Sequence, residues 1–183
     1  LASLTLPGAS TNTVALDATI VNGTYKVTAA TMGAGATLGV NTLSQPGTLA
    51  VGAVTQSGDA AYAPASGCTL ALGSVAGGDK VTKTGAGTLA FTGAAATYSG
   101  DTVLSAGTLS LDAARLPTTT DLYVSSGATL NLAFAGKQYV HALFVNGAAM
   151  PGGQYTAAKA SWITGTGVLV VTYPPVGTML MMR

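Results

Sequence analysis

A short pattern, Gly-(x)-Thr-Leu followed by a small residue and an apolar one, recurs along this chain at a near-constant spacing. It reads Gly35-Ala-Thr-Leu-Gly-Val40, Gly47-Thr-Leu-Ala-Val51, Gly67-Cys-Thr-Leu-Ala-Leu72, Gly87-Thr-Leu-Ala-Phe91, Gly107-Thr-Leu-Ser-Leu111 and Gly127-Ala-Thr-Leu-Asn-Leu132, with a last variant at Gly167-Val-Leu-Val-Val171. The central leucines are Leu49, Leu70, Leu89, Leu109 and Leu130, evenly placed from one unit to the next. A fixed period of about 20 residues is the mark of a repeat architecture.

Each unit alternates apolar and small polar side chains, which is strand periodicity with one face turned inward. The glycine before it predicts a corner, where the backbone needs a positive φ or lacks room for a Cβ. Second short strands are predicted between the units, at Thr97-Tyr98, Thr102–Leu104 and Asp121–Val124. Toward the N-terminus the pairs Leu4/Leu6, Val14/Leu16, Tyr25/Val27, Leu38/Val40 and Leu49/Val51 fall at about half the period. Two legs therefore make one coil of about 20 residues. The fold expected is all-β, a parallel β-helix (β-solenoid) of eight or nine rungs, on the order of 40 Å long at the strand spacing of about 4.8 Å. A β-sandwich is the runner-up, because its strands recur at similar intervals.

Composition fits the solenoid. Of 183 residues only 7% are charged, all six acids are Asp, and 25 are Gly. Charges repeated in ladders would repel, whereas leucines bury one another and threonine suits the pleat. A helical bundle is excluded by the glycine content and the lack of Glu. A net charge of +1 excludes a basic nucleic-acid surface. No apolar run is long enough for a membrane-spanning helix. The N-terminal Leu1 follows no initiator Met and no basic segment, which reads as a mature chain or an excised segment. Cys68 has no internal partner and reads as a small buried apolar residue.

The stretch from Lys83 to Leu111, with Lys83-Thr-Gly-Ala-Gly-Thr-Leu-Ala-Phe91, Tyr98-Ser-Gly100 and Gly107-Thr-Leu-Ser-Leu111, resembles the autotransporter-associated β-strand repeat. Residues 112–173 match that family more loosely, in the manner of segments that close such arrays, and residues 1–80 match in style alone. The resemblance implies a bacterial β-solenoid that is secreted or exposed at the cell surface, of the kind that forms the stalk or passenger of exported proteins. No translocator barrel is expected after Tyr173. The domain reading is one β-solenoid over 1–173, with divergent coils at 1–80, the clearest repeats at 81–132 and an array-closing segment at 133–173. Residues 174–183 form a C-terminal tail.

Catalytic chemistry has little to work with. His141 is the sole histidine and lies in the alternating run Tyr139–Leu143, so it reads as structural and a Ser-His-Asp triad is not expected. One His, one Cys and dispersed carboxylates predict no metal site and no cofactor. Asp17, Asp59, Asp79, Asp101, Asp112 and Asp121 read as turn caps. Asp101 and Asp121 lie one coil apart, and stacked on one corner they would make at most a weak cation site. Arg115 reads as solvated loop, and Gly33–Gly35, Gly77–Lys80 and Gly85–Gly87 read as turns, since none carries a phosphate-loop pattern. The seven tyrosines share no period and read as corner fillers.

The function expected is therefore structural: a subunit of an extracellular bacterial fibre or surface stalk. Neither terminus carries an amphipathic helix or a charged cap, and solenoid ends expose strand edges. End-to-end stacking into a homopolymer follows, with assembly contacts at Leu4, Leu6, Met179, Leu180, Met181 and Met182. The alternatives are a module that binds surface glycans and a non-catalytic passenger fragment of a larger exported protein.

Overall fold

The leucine period becomes a coil period. The computed structural model describes residues 3–16, 23–42 and 46–173, and within them the chain forms twenty strands and no helix. In chain order they are β1 (Ser3–Leu6), β2 (Thr11–Leu16), β3 (Thr24–Met32), β4 (Ala36–Thr42), β5 (Gly47–Gln56), β6 (Ala60–Pro64) and β7 (Cys68–Leu72). Then follow β8 (Val75–Gly77), β9 (Val81–Lys83), β10 (Thr88–Phe91), β11 (Thr102–Leu104), β12 (Thr108–Leu111), β13 (Leu122–Val124) and β14 (Thr129–Leu132). The last six are β15 (Lys137–Val140), β16 (Leu143–Val145), β17 (Ala148–Ala149), β18 (Gly153–Tyr155), β19 (Ile163–Gly165) and β20 (Val168–Val171).

Successive coils pair in parallel along two faces. The first sheet runs β1-β3-β5-β7-β10-β12-β14-β19, with β8 beside the far half of β5. The second runs β2-β4-β6-β9-β11-β13-β16, all parallel. This is a β-solenoid. The sandwich is excluded, because the strands of these two paths pair with their counterparts one coil away rather than with their neighbours in sequence. Register carries the sequence period into space: Thr48, Thr69, Thr88, Thr108 and Thr129 pair in turn, one on each coil. The N-terminal coils are longer, since Ser3 pairs with Ala29 and Thr24 with Thr48.

Beside those threonines, Leu49, Leu70, Leu89, Leu109 and Leu130 occupy one inward register position, each at most 1% exposed. A second inward ladder stacks Val51, Leu72, Phe91, Leu111 and Leu132. Burying a leucine is worth roughly 1.5–3 kcal/mol, so these two ladders are a main source of stability. Corner glycines serve both expected purposes. Gly127 has φ +78° with open space where a Cβ would lie. Gly52, Gly73 and Gly93 instead stack so that a Cβ on each would strike the carbonyl of the coil below, those of Thr28, Gly52 and Gly73.

One expected strand needs correction. Thr97-Tyr98 is not a strand: the Tyr98 side chain points into the core, where its hydroxyl lies 2.6 Å from Thr102 Oγ1. A phenol this deep needs a polar partner, and Thr102 stands inward between Val81 and Leu122 to provide it. The last described coils end in an antiparallel cap, with neither a helix nor a charged layer. β17 pairs antiparallel to β16, and a third sheet, β15-β20-β18, holds β18 antiparallel to β20. The step from Leu130 to its partner Ile163 is stretched well beyond the usual coil to hold this insertion.

Candidate functional site

Outward-facing positions of the second sheet change character along the solenoid. Ala61, Thr82, Val103, Tyr123 and Phe144 occupy one register position on β6, β9, β11, β13 and β16. Small side chains thus give way to rings. Tyr123 and Phe144 stack with centroids 4.6 Å apart and planes 6° from parallel. A cleft of about 440 Å³ opens against them, bounded by Val103, Lys80, Asp101 and Ser125. A survey of tyrosines misses this pair because its second member is a phenylalanine; the one-coil step from Tyr123 to Phe144 is the signal that finds it.

The corner leading into the second sheet carries a charged ladder. The backbone carbonyls of Asp59, Lys80, Asp101 and Asp121 accept bonds at equivalent places on successive coils, from the N–H groups of Gly35, Ala60, Val81 and Thr102. The carboxylates do not cap their own turns, as their sequence setting implied, but reach the next coil. Asp59 accepts from the Lys80 N–H at 2.9 Å and Asp121 from the Ala142 N–H at 3.1 Å, while the Asp121 N–H donates to Asp101. The Lys80 backbone donor holds Asp59 below the usual carboxylate range. Burial and then the neighbouring Asp121 carboxylate push Asp101 up. Lys80 reaches back to Asp59 at 3.3 Å. No group of three metal-ligating side chains occurs among the described residues.

His141 closes the row. Its Nδ1 lies 2.7 Å from Asp121 Oδ1, and its ring stacks on Tyr173 at 4.9 Å. The carboxylate orients the imidazole as it would in a triad, but the ring's neighbour is an aromatic face rather than a nucleophile. Asp79 is exposed, and Asp112 accepts from Arg115 Nε at 2.8 Å. Arg115 is therefore not free loop: its backbone N–H also donates to the buried Gln138 side chain. Cys68 is buried at the start of β7. Leu6 is buried in β1 and Leu4 is half-buried. Asp17, Met179, Leu180, Met181 and Met182 lie outside the described residues.

The first residue of the repeat motif is buried without an acidic partner among the described residues. Lys83 points inward between Tyr62 and Leu104 and is 1% exposed. Its ammonium donates to the carbonyls of Thr84 at 2.6 Å, Gly85 at 2.8 Å and, one coil on, Ala106 at 3.0 Å. Burial brings its pKa down to about 8.

The family model of the passenger-associated-transport-repeat matches residues 81–111. No curated protein and no solved structure matches the chain. The matched segment runs from β9 to β12, one coil with its flanking strands, and contains the buried Lys83, the inward Leu89 and Leu109, and the positive-φ Gly85 and Gly107. Residues 81–111 of this chain are thus similar to the passenger-associated-transport-repeat, and the glycines, leucines and lysine of that segment are parts that close and stack one coil.

Proposed function

We propose that the chain is a structural stalk segment of an exported bacterial surface protein. The observation that carries this reading is the unbroken stack of Leu49, Leu70, Leu89, Leu109 and Leu130 through a repeat typical of passenger regions. A rod built coil on coil gains length with every repeat, and each coil needs only its neighbours. Antibody raised against the folded chain should label intact cells that produce it. Labelling only after permeabilisation would overturn the reading.

Assembly into a fibre is a second reading. It is favoured by the outer edges of β1 and β2 at one end and β19 at the other, which pair with no further strand among the described residues. Parallel stacking of β1 on the β19 of a neighbour is a heterologous contact that repeats without closing. The antiparallel β17 opposes the same contact on the second sheet, so growth would rest on the first sheet and the inward Leu4 and Leu6 of its end strand. Electron microscopy and sedimentation of the purified chain separate the two. Thin filaments support the fibre, and a dispersed monomer at high concentration removes it while leaving the stalk.

A further inference from the structure

We propose that the cleft beside Tyr123 binds an uncharged pyranose sugar of a glycan. Phe144 covers one face of the Tyr123 ring, while the register partner on the other side is Val103, which has no ring. The ladder therefore steps down from ring to valine, and the cleft opens at that step. A flat ring beside an open ledge suits the axial C–H face of a pyranose, which contributes dispersion without charge.

The rim chooses among ligands. Asp101 offers acceptors, Lys80 and Ser125 offer donors, and all three bound the same cleft. Vicinal hydroxyls donate and accept at once, so they satisfy both kinds of group. An anionic ligand would meet Asp101 with Asp121 behind it, and the Lys80 charge is already shared with Asp59 at 3.3 Å. A cationic ligand would meet Lys80. The site is independent of the stalk reading, since a rod could carry it or lack it.

The test is titration calorimetry of the purified chain with hexaoses of glucose, galactose, mannose and N-acetylglucosamine, beside hexagalacturonate and hexaarginine. Binding of at least one uncharged hexaose is expected, in the millimolar range usual for an open site of this size. Tyr123→Ala removes the platform. Val103→Tyr fills the ledge while keeping the platform, at an outward strand position that accepts a ring. Each should weaken binding on the order of tenfold or more without lowering the melting temperature enough to unfold the chain. Silence toward all four uncharged hexaoses, preference for hexagalacturonate or hexaarginine, or wild-type affinity in either folded variant would overturn the proposal.

Discussion

The Lys83 ammonium and the Ala106 carbonyl, one coil apart, are joined by a 3.0 Å hydrogen bond inside the core. With the Thr84 and Gly85 carbonyls, this makes a three-way clamp across two successive corners. Lys83→Met keeps much of the length of the side chain but leaves three carbonyls without their donor. We expect a loss of about 2–4 kcal/mol in urea unfolding, the range for orphaned buried acceptors. An unchanged midpoint would mean that water replaces the ammonium.

The same lysine sets the alkaline behaviour. Its pKa in the fold is about 8, whereas an unfolded lysine titrates at about 10.4. Between those values the unfolded chain holds a proton that the folded chain has released, so stability rises with pH across the window. Burial pushes the Tyr62 and Tyr98 phenols up, so above about pH 10 only the unfolded chain ionises them and stability falls. Melting temperature should climb from about pH 8, peak near pH 10 and then drop. Lys83→Met should show the drop alone.

Inward and outward positions of one strand should separate cleanly. Leu89→Ala empties a fully buried site between Leu70 and Leu109 and is expected to cost about 2–5 kcal/mol. The adjacent Thr88→Ala, on the outer face, should stay within about 1 kcal/mol. Equal losses would contradict the inward register.

Glycines at the corners should divide into two classes. Gly127→Ala meets open space and should cost only the strain of φ +78°, about 1–2 kcal/mol. Gly73→Ala drives a methyl group into the Gly52 carbonyl of the coil below and has no low-energy accommodation. That variant should lose its cooperative transition or most of its stability, measured by circular dichroism on heating.

Much of the coil is legible because its period is carried by residue types with narrow structural meaning. Glycine before Thr-Leu marks a turn, and alternation marks a face, so Leu49 through Leu130 locate the first sheet from the pattern alone. Tyr98 escapes that logic: its sequence neighbours look strand-like, and only the core beside Thr102 draws the phenol inward. The antiparallel turn of the cap is written locally: Asn146-Gly147, both at positive φ, is the two-residue hairpin turn that folds β17 back on β16.

The cleft is half legible. The spacing of Asp101 and Asp121 places them on one corner, and the structure stacks them there, though each binds the following coil rather than its own turn.

The period, the strand alternation and the inward leucines can all be read along the chain, because they depend on a local pattern repeated at a fixed interval. Two features cannot: that Lys83 turns inward to the Ala106 carbonyl, and that Phe144 completes the Tyr123 platform. Each depends on what the adjacent coil presents at the same height, an open carbonyl or an unmatched ring. Such partners are a full coil apart in the chain and meet only when the coils stack.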